Sequence, residues 1–406
     1  LVCAILAAAL LAITCARSSP GPTLLLLSFD GFRWDYVQRY PTPEIQRLLA
    51  RGAHAEALIP PFPTKTYPSH YTTVTGLYPE HHGIVGNTMY DPGVKAWFSI
   101  GDRTAVEDGR WWAGEPIWVT GERQGRVMAT VFWPGSEAPI GGARPRYWLR
   151  YDARMPPARR IDTMFGWLDK PAAERPSFVA MYFGDADEAG HDHGPDSPAV
   201  RQAVERLDRA LGRLRQGLER RGLADEIDLI LTSDHGMTEL SPDRVIFLDD
   251  YLDLSTVTVV DWSPVLLLSA RDGDNERVYR QLARAGPQLA VYRRMDLPDR
   301  LHFRDNPRIT PIVAIASEGW TITSRARTPR RGTKAVLSAR GNHGYDNALA
   351  SMRGILIAAG PAFKRGATVP PVENVHLYEM MCRILGLKPA PNDGSPGALR
   401  AMLSAP

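Results

Sequence analysis

Apolar and polar positions alternate along the chain in blocks. Three short, unbroken apolar runs each end in an acidic turn. Thr23–Phe29 (TLLLLSF) leads into Asp30-Gly31, and Ser177–Phe183 (SFVAMYF) into Gly184-Asp185-Ala186-Asp187. Ile227–Leu231 (IDLIL) leads into Thr232-Ser233-Asp234-His235-Gly236. A fourth run, Gly354–Ala359 (GILIAA), instead follows its turn, Asn342-His343-Gly344-Tyr345-Asp346. Runs of this length without polar alternation predict strands covered on both faces. Between the second and third, Val200, Val204, Leu207, Leu211, Leu214 and Leu218 keep the stripe of a helix. Ser197-Pro198 marks its start and Gly222 its stop. Strand, helix, strand at this spacing predicts an α/β fold, with a central, mostly parallel sheet sandwiched by helices.

Two segments interrupt the rhythm. Residues 85–160 hold Trp97, Trp111, Trp112, Trp118, Trp133 and Trp148 among Gly and Pro, and residues 255–340 are mixed, β-like and basic. Both are expected to be insertions on a single catalytic body spanning 23–395, the first forming the substrate pocket. With 44% hydrophobic and 23% charged residues, the composition excludes disorder, collagen and coiled coil. Lys and Arg (48) nearly balance Asp and Glu (45), so no nucleic-acid polymer is expected as a partner. Cys3, Cys15 and Cys382 are too few for a disulfide framework or a cysteine zinc site.

Val2–Thr14 (VCAILAAALLAIT) is too short to span a bilayer and suits the apolar core of a secretory leader over residues 1–16. Cleavage after Ala16 fits a small-x-small rule. Lipidation at Cys15 is the other outcome, and the only one that makes a membrane a partner. Export, to a bacterial periplasm, is the expectation.

The acids and histidines carry the chemistry. Asp30, Asp187 and Asp234 each fall just past the carboxyl end of a predicted strand, the edge at which open α/β sheets bind ligands. His191, four residues after Asp187, shares its face of a helical turn; His235 adjoins Asp234, and His343 lies in the turn before the fourth strand. One Asp-His-Gly alone is more often a plain turn. Three Asp and three His together suit two divalent ions, and mixed carboxylate and imidazole donors favour zinc over magnesium or calcium. His54, His70, His81, His82, His193, His302 and His376 show no such partnership and are expected on the surface or in the core. Thr66, in Pro63-Thr64-Lys65-Thr66-Tyr67-Pro68-Ser69-His70, falls at or just before the start of a helix whose first turn holds Pro68. The partial positive charge there favours an alkoxide and a phosphate oxygen. Alone, Thr66 would read as an N-cap. Beside two cations it becomes a candidate nucleophile.

Asp30-Gly31, PTKTYPSHYTTVTGLYPEHHGIVGN, Asp187-x-x-x-His191, SDHGM, NHGYD and Pro391-Asn392-Asp393-Gly394 together resemble the nucleotide pyrophosphatase/phosphodiesterase family of the alkaline phosphatase superfamily. The likeness runs from about residue 23 to 395 and fits a bacterial member reduced to the catalytic domain. Gly184-Asp185 departs from it, standing where many members carry a Glu pair. The resemblance implies an alkaline-phosphatase-like fold and a two-zinc hydrolase working through a phospho-threonine at Thr66. One zinc would take Asp187, His191 and His343; the other Asp30, Thr66, Asp234 and His235. Asn87 matches the family asparagine that donates to a phosphoryl oxygen without adding charge. Tyr67 matches the aromatic that lies against the base in nucleotide-cleaving members, and Tyr151 is similar to the opposing face. Trp97 or Phe98 is expected at the edge of that slot, Trp111 and Trp112 in the core, and Lys65 as a solvated lysine.

The implied activity is hydrolysis of small nucleotide phosphodiesters and pyrophosphates, releasing nucleoside 5′-monophosphate. The alternative is the same chemistry on lysophospholipid or choline-phosphate head groups, which needs a cage for choline and an apolar groove. A silent zinc-binding protein would have lost a ligand, and a phosphomonoesterase would usually carry Ser and a phosphate-binding Arg. The residues above match neither.

Overall fold

Leucine occupies four successive positions of the first strand because both of its faces are covered. Leu24 and Leu26 pack into one apolar cluster, Leu25 and Leu27 into another on the opposite side, and all four are buried. Each such side chain contributes about 1.5–3 kcal/mol relative to exposure. The computed structural model describes residues 22–331 and 334–404. The leader predicted over residues 1–16, with its Ala16 and Cys15 alternatives, lies outside them.

The central sheet is built from β1 (Thr23–Phe29), β2 (Ala53–Ile59), β3 (Met128–Val131), β4 (Tyr147–Leu149), β5 (Phe178–Phe183) and β6 (Ile227–Thr232). Two later strands, β11 (Gly354–Ala359) and β12 (Ala367–Val369), complete the order β12-β2-β11-β6-β1-β5-β3-β4. Helices α1 (Pro43–Arg51), α4 (Pro157–Leu168) and α6 (Pro198–Arg220) cover one face; α2 (Thr66–Thr75) and α7 (Leu377–Leu385) cover the other. The α6 stripe is the predicted one, and the Ser197 hydroxyl caps it by accepting from Val200 N–H at 3.3 Å.

The sheet is mostly parallel, as expected, with one strand reversed, and one other expectation is amended. β11 runs antiparallel to both β6 and β2, so the sheet is mixed on that side. The chain reaches the carboxyl edge through the turn holding His343, and the next strand can only run back. Within 85–160, β3 and β4 are parallel members of the main sheet. What stands outside it is a hairpin, Thr88–Asp91 with Ala96–Ser99, and short helices. The second segment forms a small sheet packed on the body, with Val265, Leu267 and Val313 in the main apolar cluster. It pairs β7 (Val257–Asp261), β8 (Val265–Ala270), β9 (Leu289–Arg293) and β10 (Ile312–Ala316) in the order β7-β8-β10-β9, with a second apolar cluster on its outer face.

Candidate active site at the carboxyl edge of the sheet

β6, β1 and β5 are adjacent and parallel, with Ser28 opposite both Tyr182 and Thr232, so their carboxyl ends open side by side. Asp30 lies one residue past β1, Asp234-His235 just past β6, and Asp187 in the first turn of α5 (Asp185–His193). Gly31 lets two of these loops touch. Its φ is +66°, and a Cβ there would sit 2.8 Å from the Asp187 Cα. His191 is one turn along α5. His343 arrives after Gly341–Asn342, which pairs with Thr238–Glu239 beside β6.

The six side chains form two groups, Asp187/His191/His343 and Asp30/Asp234/His235, each with its donor atoms within 4.8 Å of one another. The His235 and His343 rings stack at 3.5 Å and join the groups. Asp30 Oδ1, Asp187 Oδ1 and Asp234 Oδ2 are buried without a hydrogen-bond partner, which is costly unless something cationic meets them. His191, His235 and His343 donate Nδ1–H to the carbonyls of Gly341 (3.0 Å), Gly236 (2.9 Å) and Thr64 (2.8 Å), leaving Nε2 as the free lone pair. Burial, then the Asp234 charge, pushes the Asp30 carboxyl well above the usual range, and burial pushes Asp187 and Asp234 to about 7. Burial, then His235, holds the His343 imidazolium well below its usual range. Carboxylates that resist ionising together, beside imidazoles whose Nε2 faces them, are a donor set suited to divalent cations.

Thr66 opens α2, with Lys65 extended before it, and its Oγ1 lies 3.3 Å from His235 Nε2. Asn87 Oδ1 accepts the Tyr67 N–H at 3.1 Å, which turns the carboxamide NH₂ to the other side. Lys65 is not solvated. It is buried, and its ammonium pairs with Asp261, at the bulge of β7 where the second insertion folds over the loop.

Trp97 and Phe98 are arranged differently from expectation. Tyr67 is backed by Phe98 (6.0 Å) and Trp112 (5.9 Å). Phe98 is fully buried and therefore supports Tyr67 from behind instead of lining an opening. Trp97, its neighbour on the hairpin, faces the other way, 48% exposed against Tyr90. Tyr151 is 38% exposed, edge-on to Phe132 and Tyr182. Trp111 and Trp112 are in the core.

Three residues escaped the sequence reading. The buried His70 donates Nδ1–H to the Thr66 carbonyl and accepts the Ser28 hydroxyl at Nε2, both at 2.8 Å, so it ties α2 to β1. Burial pushes its pKa down to about 3. Its position four residues after Thr66 was the available signal. Asp261 and Tyr182, whose hydroxyl donates to Asp30 at 2.6 Å, come from distant segments that nothing in the chain marks. A cavity of about 680 Å³ opens elsewhere, between α1 and α6, and touches none of these residues.

A mixed sheet between two helical layers, with carboxylates and imidazoles gathered past its strand ends, defines an alkaline-phosphatase-like α/β protein. Residues 24–346 match the family model described as type I phosphodiesterase / nucleotide pyrophosphatase. The chain is 39% identical over 396 residues to human ectonucleotide pyrophosphatase/phosphodiesterase family member 5, covering 97% of this chain and 81% of the relative. It is 40% identical over 392 residues to bis(5′-adenosyl)-triphosphatase of Bos taurus, covering 96% and 83%. A solved structure of murine family member 5, an inactive threonine-to-alanine variant in complex with AMP, superposes with a TM-score of 0.88 at 38% identity, over 94% of this chain and 100% of that one. The chain belongs to the type I phosphodiesterase/nucleotide pyrophosphatase family. These relatives are vertebrate proteins and lend no support to a bacterial origin. Among the described residues, no helix is long and apolar enough to cross a membrane.

Proposed function

We propose that the protein is an exported two-zinc phosphodiesterase/pyrophosphatase that releases nucleoside 5′-monophosphate from small nucleotides through a phospho-threonine at Thr66. The observation that carries this reading is the Thr66 hydroxyl beside His235, where two three-residue donor groups meet. Bound divalent ions would lower the hydroxyl pKa and neutralise charge on the phosphoryl oxygens. Asp187, His191 and His343 would hold one; Asp30, Asp234 and His235, with Thr66, the other. The Thr66 oxygen attacks phosphorus as the bond to the leaving phosphate or alkoxide breaks. Water then cleaves the phospho-threonine, giving the monoester and restoring the hydroxyl. The α2 N-terminus adds positive potential at the phosphate, and the Asn87 carboxamide donates to its oxygen. Tyr67 and Tyr151 would hold the base.

The murine neighbour supports this reading, since it binds AMP and a threonine-to-alanine change leaves it inactive; so does the bovine relative, by name a dinucleoside triphosphatase. Export accords with relatives named as ectoenzymes; a periplasmic address would need a bacterial source. The test is turnover of the zinc-loaded protein on nucleotide, choline-phosphate and monoester substrates. Nucleoside monophosphate should be the product, Thr66→Ala should abolish it while zinc content stays near two per chain, and Thr66→Ser should keep part of the rate. Wild-type turnover in Thr66→Ala would refute the covalent route, and preference for choline phosphate would favour the head-group alternative.

A further inference from the structure

We propose that Tyr182 is a positioning residue that holds Asp30 as a one-oxygen ligand and so keeps a place open in the Asp30/Asp234/His235 group. The inference rests on the reading of that group as a metal site. Tyr182 is the penultimate residue of β5, opposite Ser28 of β1. It is half-buried at the rim of the sheet, packed against the apolar cluster on the α6 side and with its ring edge-on to His70 of α2. Its hydroxyl donates to Asp30 Oδ2 at 2.6 Å, the length of a strong bond to a carboxylate.

Asp30 Oδ1 is then the oxygen left over. It is buried, has no hydrogen-bond partner and lies 3.4 Å from His235 Nε2. Asp234 is treated the same way: Gly31 N–H donates to its Oδ1 at 3.1 Å and its Oδ2 is left over. With one oxygen engaged on each carboxylate, the group offers two oxygens and one imidazole nitrogen. Two carboxylates free to chelate through both oxygens would fill a four-coordinate ion and leave no position for the Thr66 hydroxyl. The Tyr182 ring is itself fixed, edge-on between His70 (5.3 Å) and Tyr151 (6.2 Å). No hydroxyl reaches Asp187 in the same way among the described residues, so the effect belongs to one group only.

The test is zinc binding to metal-free protein, by competition with a chromophoric chelator, in wild type and Tyr182→Phe. Wild type should show two sites. The variant keeps the ring, so its metal-free melting temperature should not move, while one site weakens by about 10- to 100-fold and the other stays. In an Asp187→Asn background, which spoils the second group, Tyr182→Phe should weaken the site that remains. Equal affinities in the two proteins, equal loss at both sites, or a lower metal-free melting temperature would each overturn the inference. Wild-type protein that binds no zinc would overturn the metal reading beneath it.

Discussion

His82 locks the helix that carries Thr66, and its buried neutral ring makes a pH-dependent prediction. It sits on the short α3 (Pro79–His82) and is fully buried, with Nε2 at 3.0 Å from Thr72 Oγ1 of α2 and Nδ1 accepting the Ile84 N–H at 3.1 Å. A second proton would set one N–H against another, and burial pushes the pKa from 6.5 down to about 3. Between those values the unfolded chain binds a proton that the folded chain refuses. Stability therefore falls as pH drops below 6.5, and above it this penalty is absent. The slope is up to about 1.4 kcal/mol per pH unit, so about 2 kcal/mol is lost between about pH 6.5 and pH 5.

In His82→Asn the amide oxygen can still accept from Ile84, but the Thr72 bond and the edge contact with Tyr71 are lost. A hydrogen bond at about 1 kcal/mol and an aromatic contact at about 1 kcal/mol make the variant about 2 kcal/mol less stable at about pH 7.5. That deficit should shrink towards zero at about pH 5, because the variant has no imidazole to keep neutral. The assay is urea unfolding of both metal-free proteins at the two pH values. Asp30, Asp187 and Asp234 titrate in the opposite sense, but they are common to both proteins. The charged groups acting on His82 are His81 and Arg308, so the carboxylates cancel in the difference. A deficit that stays constant with pH would refute the argument.

Asp261→Asn should leave the buried Lys65 ammonium without its counter-charge and cost about 3 kcal/mol, read as a lower melting temperature. Adding Lys65→Met should recover most of it, and failure to do so would place the loss elsewhere. Tyr151→Ala should lower kcat/KM on a nucleotide ester by about ten- to a hundredfold through lost stacking, yet leave methyl p-nitrophenyl phosphate nearly unaffected. Equal losses on both substrates would make the ring a support for Tyr182 and the fold.

The strands that position the site were legible because each is an unbroken apolar run ending in an acid, a pattern produced by burial on both faces. The donor residues were legible for a related reason, while their division into two groups came only from the family resemblance. Asp30, Asp187-x-x-x-His191 and Asp234-His235 are each tied to a strand end or a helical turn, so local spacing already places them. The antiparallel course of β11 was also written in the chain, since the His343 turn precedes its strand while the other three follow theirs. β3 and β4 were not. Met128–Val131 and Tyr147–Leu149 are too short to show a period among Gly, Pro and Trp, and only pairing with β5 and with each other makes them strands.

What the amino-acid order determined by itself is therefore the sheet's central strands, the edge at which chemistry gathers, and the residue types that gather there. Tertiary structure decided which oxygens and nitrogens are free. Tyr182 meets Asp30 across 152 positions of sequence, Asp261 meets Lys65 across 196, and His343 meets Thr64 across 279. Local periodicity reports only which face of an element is buried. Those partners are chosen by strand order and by how an insertion folds back over a loop, and neither leaves a mark on the neighbouring residues.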